Sequence, residues 1–293
     1  MLNFLRALLR GWSPKSSFDF CNVGTLAASR GEFHRAIADL TEAIRLDQNN
    51  ADAYFNRATA FEQMGELDRA IADFTESARL APQLSEVYVG RGNAHLKAGN
   101  FDGAITDFSQ AIRLVPDFAK AYDNRGLAHA EKGEFDRAVI DHTEAIRLDP
   151  NLSNAFLNRG AAYGKHGEHL KAIADYTEAI RLDPHFAEAF VNRGTEWIEM
   201  NECSNAIADF NEAIRLGFQH AWAYVGRGLA YSGQGDLDRA ITDYTQAIRL
   251  DPNYATAYEK RGIAYSCKGD HERAIADSTE AIRLDPGNAH KRS

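Results

Sequence analysis

The feature that most constrains this chain is a period. Shifting the stretch from Ala119 to Leu152, AKAYDNRGLAHAEKGEFDRAVIDHTEAIRLDPNL, by 34 residues in either direction lands on a recognisable copy. Eight copies run without insertion or deletion, at 17–50, 51–84, 85–118, 119–152, 153–186, 187–220, 221–254 and 255–288, so 272 of 293 residues follow one pattern. A fixed period of this size marks a repeat architecture, in which each unit contacts its neighbours and cannot bury its own apolar face alone. Chain length then says little about domain number.

Each unit reads as two helices parted by a glycine. In 119–152 they run over about 120–132 and 136–148, with Gly133 between them; Gly31, Gly65, Gly99, Gly167, Gly235 and Gly269 are its equivalents, and Asn201 is the one exception. Asparagine is the next-best residue for the left-handed conformation that ends a helix, so the exception supports the assignment. Pro82, Pro116, Pro150, Pro184, Pro252 and Pro286 share one position, where proline stops the second helix. The twentieth position is alanine in every unit and the eighth is glycine or alanine, which lets two helices approach closely. The fourth is always aromatic (Phe20, Tyr54, Tyr88, Tyr122, Phe156, Phe190, Tyr224, Tyr258), and this row is expected in the core.

The period, with its small, aromatic and proline positions, resembles the tetratricopeptide repeat (TPR) family. The resemblance implies an all-α, right-handed superhelical solenoid of eight TPR helix-turn-helix pairs. Residues 1–16 are expected to be an N-terminal amphipathic extension, 17–288 the repeats and 289–293 a basic tail. One departure from the family pattern is systematic. The seventh position, where the family has leucine, holds Arg57, Arg91, Arg125, Arg159, Arg193, Arg227 and Arg261, with Val23 in the first unit. A charge on a packed face needs a partner, and the twenty-third position is aspartate throughout, from Asp39 to Asp277. Because the unit without the arginine is the unit without a predecessor, each arginine is expected to reach the aspartate of the preceding repeat, Arg125 to Asp107 for example, which leaves Asp277 without one. A pair inside the second helix, such as Arg137 with Asp141, is the competing reading. Arginines at the twenty-ninth position, Arg45 to Arg283, follow a glutamate at i, i+3 in most units and read as a solvated face.

In proteins of the resembled family the first helices line a concave groove for extended peptides or partner helices, through roughly the second, fifth, sixth, ninth and twelfth positions. Carried onto this chain, the sixth position gives Asn22, Asn56, Asn124, Asn158 and Asn192, interrupted by Gly90, Gly226 and Lys260. A side-chain amide both donates and accepts, so such a row can pair with a peptide backbone of any sequence. A similar row lines the TPR region of O-linked N-acetylglucosamine transferase. Beside it the candidate groove residues are Phe55, Val89, Leu157, Val191 and Val225 at the fifth position, Leu127 at the ninth and Trp222 at the second, interleaved with Asp52, Glu86, Asp123, Glu188 and Glu259. An apolar strip edged by acids suits an amphipathic, somewhat basic segment. A carboxylate clamp for chaperone tails would need lysines that these positions lack, apart from Lys120.

Composition narrows the function further. A net charge of −9 argues against a phosphate-backbone binder, so no nucleic-acid partner is expected. Cys21, Cys203 and Cys267 are an odd number without CxxC spacing, which points to a reducing, cytoplasmic setting and away from a disulfide framework or zinc knuckle. His95, His129 and His142 fall near one another but read as substitutes for core aromatics; no metal or cofactor is expected, and no phosphate loop, nucleophile elbow or carboxylate pair stands outside the repeats. The chain therefore reads as no enzyme but a scaffold or adaptor that binds another protein, with a self-assembling structural protein as the alternative. Residues 1–12, MLNFLRALLRGW, allow a helix that covers the first repeat, a surface-lying membrane or partner contact, or a targeting segment. Ile275, Ile282 and Leu284 lie toward the far end and suggest self-association through the C-terminal repeat.

Overall fold

The structure is a computed structural model that describes residues 16–286; the readings of residues 1–12 and of the basic tail lie outside them. Among the described residues it is all-α. The chain falls into two compact units, which divide after Leu148. The first holds α1 (Ser17–Ser29), α2 (Phe33–Leu46), α3 (Ala51–Gln63), α4 (Leu67–Leu80), α5 (Ser85–Lys97), α6 (Phe101–Leu114), α7 (Ala119–Glu131) and α8 (Phe135–Leu148). The second holds α9 (Ser153–Lys165), α10 (His169–Leu182), α11 (Ala187–Glu199), α12 (Cys203–Arg215), α13 (Ala221–Gly233), α14 (Leu237–Leu250), α15 (Ala255–Cys267) and α16 (His271–Leu284). Odd-numbered helices are the first of each repeat and even-numbered ones the second.

The turn between the two helices of a repeat behaves as the glycine pattern predicts. The seven glycines have φ between 73° and 80°, and Asn201 takes the same region at φ 59°. The eighth-position glycines exist for a different reason, close approach. A Cβ on Gly92 would stand 2.7 Å from the Phe108 ring, and one on Gly228 would stand 2.6 Å from Tyr244. The rings that fill each repeat therefore come from the twenty-fourth position: Phe74, Phe108, Phe210 and Tyr244 are almost wholly buried. His142 occupies that slot in the fourth repeat, is fully buried, and meets the Asp123 carboxylate at 2.7 Å through Nδ1. Asp123 is thus a core residue and not part of a groove rim.

The fourth-position aromatics, expected in the core, are mostly half-buried instead. They are platforms. Tyr88, Tyr122, Phe190, Tyr224 and Tyr258 each lie beneath the guanidinium three residues on, at 5.4–5.7 Å from ring centre to Cζ.

The arginine row also differs from expectation. Each seventh-position arginine grips the aspartate of its own repeat, sixteen residues on, in a two-bond fork. Arg57 donates from Nε and Nη2 to Asp73 at 2.7 and 2.8 Å, and Arg125 does the same with Asp141 at 2.8 and 2.7 Å. Asp277 is accordingly held by Arg261. What crosses to the preceding repeat is the remaining nitrogen: Arg57 Nη1 donates to Thr41 at 3.0 Å and Arg125 Nη1 to Ser109 at 3.1 Å. The competing pair fails at Arg137, which bonds Glu134, and stands only loosely in the first repeat, where Arg35 Nε lies 3.7 Å from Asp39. The reason is reach: a guanidinium on a first helix faces the adjacent second helix squarely, and only its outer nitrogen spans the joint between repeats. Forked geometry satisfies both carboxylate oxygens, which is what lets an ion pair stand on a packed face.

Within each unit, successive first helices touch one another (α1 with α3, α3 with α5, α5 with α7; α9 with α11, α11 with α13, α13 with α15), whereas second helices do not. Small residues set this: Ala53, Val87 and Ala121 at the third position, and Ala60, Ala94 and Ala128 at the tenth, are wholly buried. The first-helix side of each unit is therefore the tighter one.

Candidate functional site

In the first unit the inner face is built from α1, α3, α5 and α7. Asn22 is exposed, while Asn56 and Asn124 are half-exposed, and the latter two reach back toward the preceding first helix. Asn124 Nδ2 donates to Asn93 Oδ1 at 2.9 Å, and Asn56 Nδ2 contacts the Cys21 sulfur at 3.8 Å. The row is thus an inter-repeat contact with part of its hydrogen-bonding capacity committed. Asn93, at the ninth position, was not among the sequence candidates; its place beside Leu127 and Thr59 in the repeat alignment was the available signal. Phe55 is partly buried, edge-on to Phe74 with ring centres 5.6 Å apart. Val89 is partly buried against the cluster of Ala104, Phe108 and Ala128. Leu127 is also half-buried. Asp52 and Glu86 are exposed at the rim, and Lys97 pairs with Glu62 across α5 and α3 at 2.7 Å.

Gly90 interrupts the asparagine row for a packing reason. A Cβ there would stand 2.6 Å from the Phe74 ring of the preceding repeat, and in the second unit Gly226 stands in the same relation to Phe210 at 2.4 Å. The sixth position therefore lies over the twenty-fourth-position ring of the repeat before it, and only side chains that turn toward solvent fit.

In the second unit the inner face comes from α9, α11, α13 and α15. Asn158 and Asn192 are half-exposed. Three fifth-position candidates are not ligand surface: Leu157, Val191 and Val225 are 7%, 0% and 4% exposed. They serve helix packing, because the fifth position turns inward once successive first helices close on one another. Trp222 is half-buried, perpendicular to Phe218 with ring centres 5.4 Å apart. Glu196 occupies a position that is alanine in most repeats; it is buried and accepts from or donates to His169 Nδ1 at 2.7 Å according to protonation. Gly164 makes room for it, since a Cβ there would meet its carboxylate oxygen.

His95, His129 and His142 are individually partnered, by Asn100, Glu134 and Asp123. His129 meets Glu134 at 2.7 Å, and with Lys132 and Arg137 it holds that half-exposed carboxyl well below its usual range, at about 2. No group of histidine, cysteine or acidic side chains among the described residues is arranged to hold a metal ion. The Arg125 guanidinium is pushed further above its ordinary value by its bonds to Asp141, against the opposing effect of burial. These bonds tie the two helices of a repeat to each other and to the repeat before.

Comparison with known proteins agrees with this architecture. TPR repeat and tetratricopeptide repeat models match residues 24–65, 92–133 and 233–266, and also 51–84, 119–152, 153–186 and 255–288. The chain belongs to the tetratricopeptide repeat family, whose fold serves protein–protein interaction. No curated protein matches the chain. Among solved structures, a chain of the APC/C hetero-tetramer Cut9–Hcn1 is similar at 22% identity and a TM-score of 0.66, over 87% of this chain; this chain spans only 50% of that one. MamA is similar at 30% identity over 56% of this chain and 96% of its own, with a TM-score of 0.52. YrrB, described as a TPR protein with an unusual peptide-binding site, is similar at 23% identity over 63% of this chain and 97% of its own, with a TM-score of 0.53. No described helix is long and apolar enough to cross a membrane.

Proposed function

We propose that the chain is a non-catalytic scaffold that holds an extended peptide or amphipathic helix of another protein against the first-helix face of a unit. The observation that carries this reading is the row of half-exposed amides at Asn56 and Asn124, continued by Asn93, on the side where first helices pack most closely. Amides spaced one per repeat offer donors and acceptors to a peptide backbone without demanding a particular sequence. Asp52 and Glu86 at the rim favour a segment with some positive charge. The described peptide-binding site of YrrB supports a peptide as ligand class. The free cysteines fit a reducing, cytoplasmic setting.

The test is photo-cross-linking in the native host, with benzoylphenylalanine placed at Asn56 and, as a control on a second helix, at the exposed Ile140. A protein captured from Asn56 and not from Ile140 supports the reading. Capture from Ile140 alone moves the site to the second-helix face and overturns it. Self-association would use a different surface, the outer face of the last repeat.

A further inference from the structure

The two terminal repeats carry different outer faces. In the first, the positions that would meet a predecessor are Asp19, Val23 and Leu26, where interior repeats of the same unit have alanine or valine, arginine and alanine. Leu26 is exposed to 47% and Asp19 caps its own helix through Ser16. A bulky and a charged residue replace small ones, so this end cannot offer a neighbour the joint used between repeats.

The last repeat keeps that joint. Ile275 and Ile282 are 67% and 52% exposed, at positions that are mostly covered by the following first helix elsewhere in the second unit, as with Ile241 and Ile248. Thr279 donates its hydroxyl to the Ile275 carbonyl at 2.8 Å. Thr245 does the same with Ile241, and its oxygen also accepts from the Arg261 guanidinium of the next repeat at 3.0 Å. Thr177 repeats the arrangement with Arg193. The Thr279 oxygen is thus set to accept a guanidinium. One detail is peculiar to this face: Ser278 stands where other repeats place a large side chain, and it leaves a hollow lined by Gly262, Ile263, Ala274, Ile275, Ser278 and Ile282.

We propose that this face of α15 and α16 receives a helical hairpin of a partner protein, in the register of a further repeat. Continuity with the interior joint defines the hairpin's chemistry. Its first helix has small residues at its third and tenth positions, as at Ala223 and Ala230, which are wholly buried against the preceding repeat. It has arginine at the seventh to reach Thr279, and an aspartate sixteen residues later to hold that arginine. Its sixth residue is bulky and apolar, since this position lies over the ring in interior joints and over the hollow here. The segment Gly287 to Ser293, GNAHKRS, contains no such side chain. The chain's own first repeat has neither the small residues nor the arginine.

A fluorescein-labelled peptide of residues 119–152 carrying Asn124→Leu is the probe, titrated by anisotropy against the full chain. It meets each requirement through Ala121, Arg125, Ala128 and Asp141. The expected results are saturable binding, at least tenfold weaker binding to the Ile275→Glu, Ile282→Glu chain with unchanged helicity, and at least tenfold weaker binding of the Arg125→Ala peptide. The chain carrying Asn56→Ala binds the probe as wild type, which separates this surface from the peptide face. Equal binding by wild type and the double glutamate variant overturns the proposal. A dimer in sedimentation that the double variant converts to monomer, with no probe bound by either, also overturns it and assigns the face to a second copy.

Discussion

The first and second repeats differ at one contact and show what the arginine clasp requires. In the second, Arg57 forks onto Asp73, donates to Thr41 of the repeat before it, and lies over Tyr54 at 5.7 Å; the two side chains are 17% and 10% exposed. In the first, Val23 faces the same slot. Asp39 is left with a buried Oδ2 that has no hydrogen bond among the described residues, and Arg35 Nε stands 3.7 Å from it. A guanidinium costs several kcal/mol to desolvate and recovers this only where forked geometry and further hydrogen bonds accompany the ion pair. A preceding repeat supplies the third acceptor, so the clasp fits interior joints and is dispensable at an end.

The comparison breaks most clearly at the second repeat. Arg57→Ala leaves Asp73 on a packed face without its partner and is expected to cost about 3 kcal/mol, read as a lower urea midpoint and faster amide exchange in α3 and α4. Restoring the clasp where it is missing is the converse. Val23→Arg gives Asp39 a forked donor and should stabilise the first repeat by about 1 kcal/mol, read as slower exchange in α1 and α2. The exposed pairs should respond far less. Arg45 bonds Glu42 twice and pulls its carboxyl below the usual range, yet Arg45 is exposed and Glu42 half-exposed, so Arg45→Ala should leave the melting curve unchanged.

A further effect is a pH dependence. The folded Glu134 carboxyl titrates near 2, below its ordinary 4.5, so its contribution is present above pH 4.5 and fades as pH falls toward 2. The difference in melting temperature between wild type and Glu134→Gln should be visible at pH 6 and absent by pH 2.

Helix boundaries, turns and the close-packed small residues were legible because they follow from backbone geometry, which a 34-residue period repeats faithfully: Asn201 takes φ 59° beside seven glycines. The arginine partner was not legible. The same spacing admits the aspartate of the preceding repeat or of its own, and only the helix crossing decides between them. Burial of Leu157, Val191 and Val225 was missed for a related reason. The fifth position faces neither core nor solvent by periodicity alone, and contact between successive first helices turns it inward. Gly90 and Gly226, read as interruptions of a ligand row, are places where a ring of the preceding repeat needs the space.

The central claim is that the recurrent charges hold the repeats and the first-helix amides hold the partner. The most direct measurement pairs a melt with quantitative affinity pull-down, from the native host, of the partner identified by cross-linking, for the Asn56→Ala, Asn124→Ala variant. The account predicts at least tenfold weaker capture with a melting temperature within about 2 °C of wild type, as expected for half-exposed polar substitutions. Undiminished capture by a variant that melts normally would contradict it.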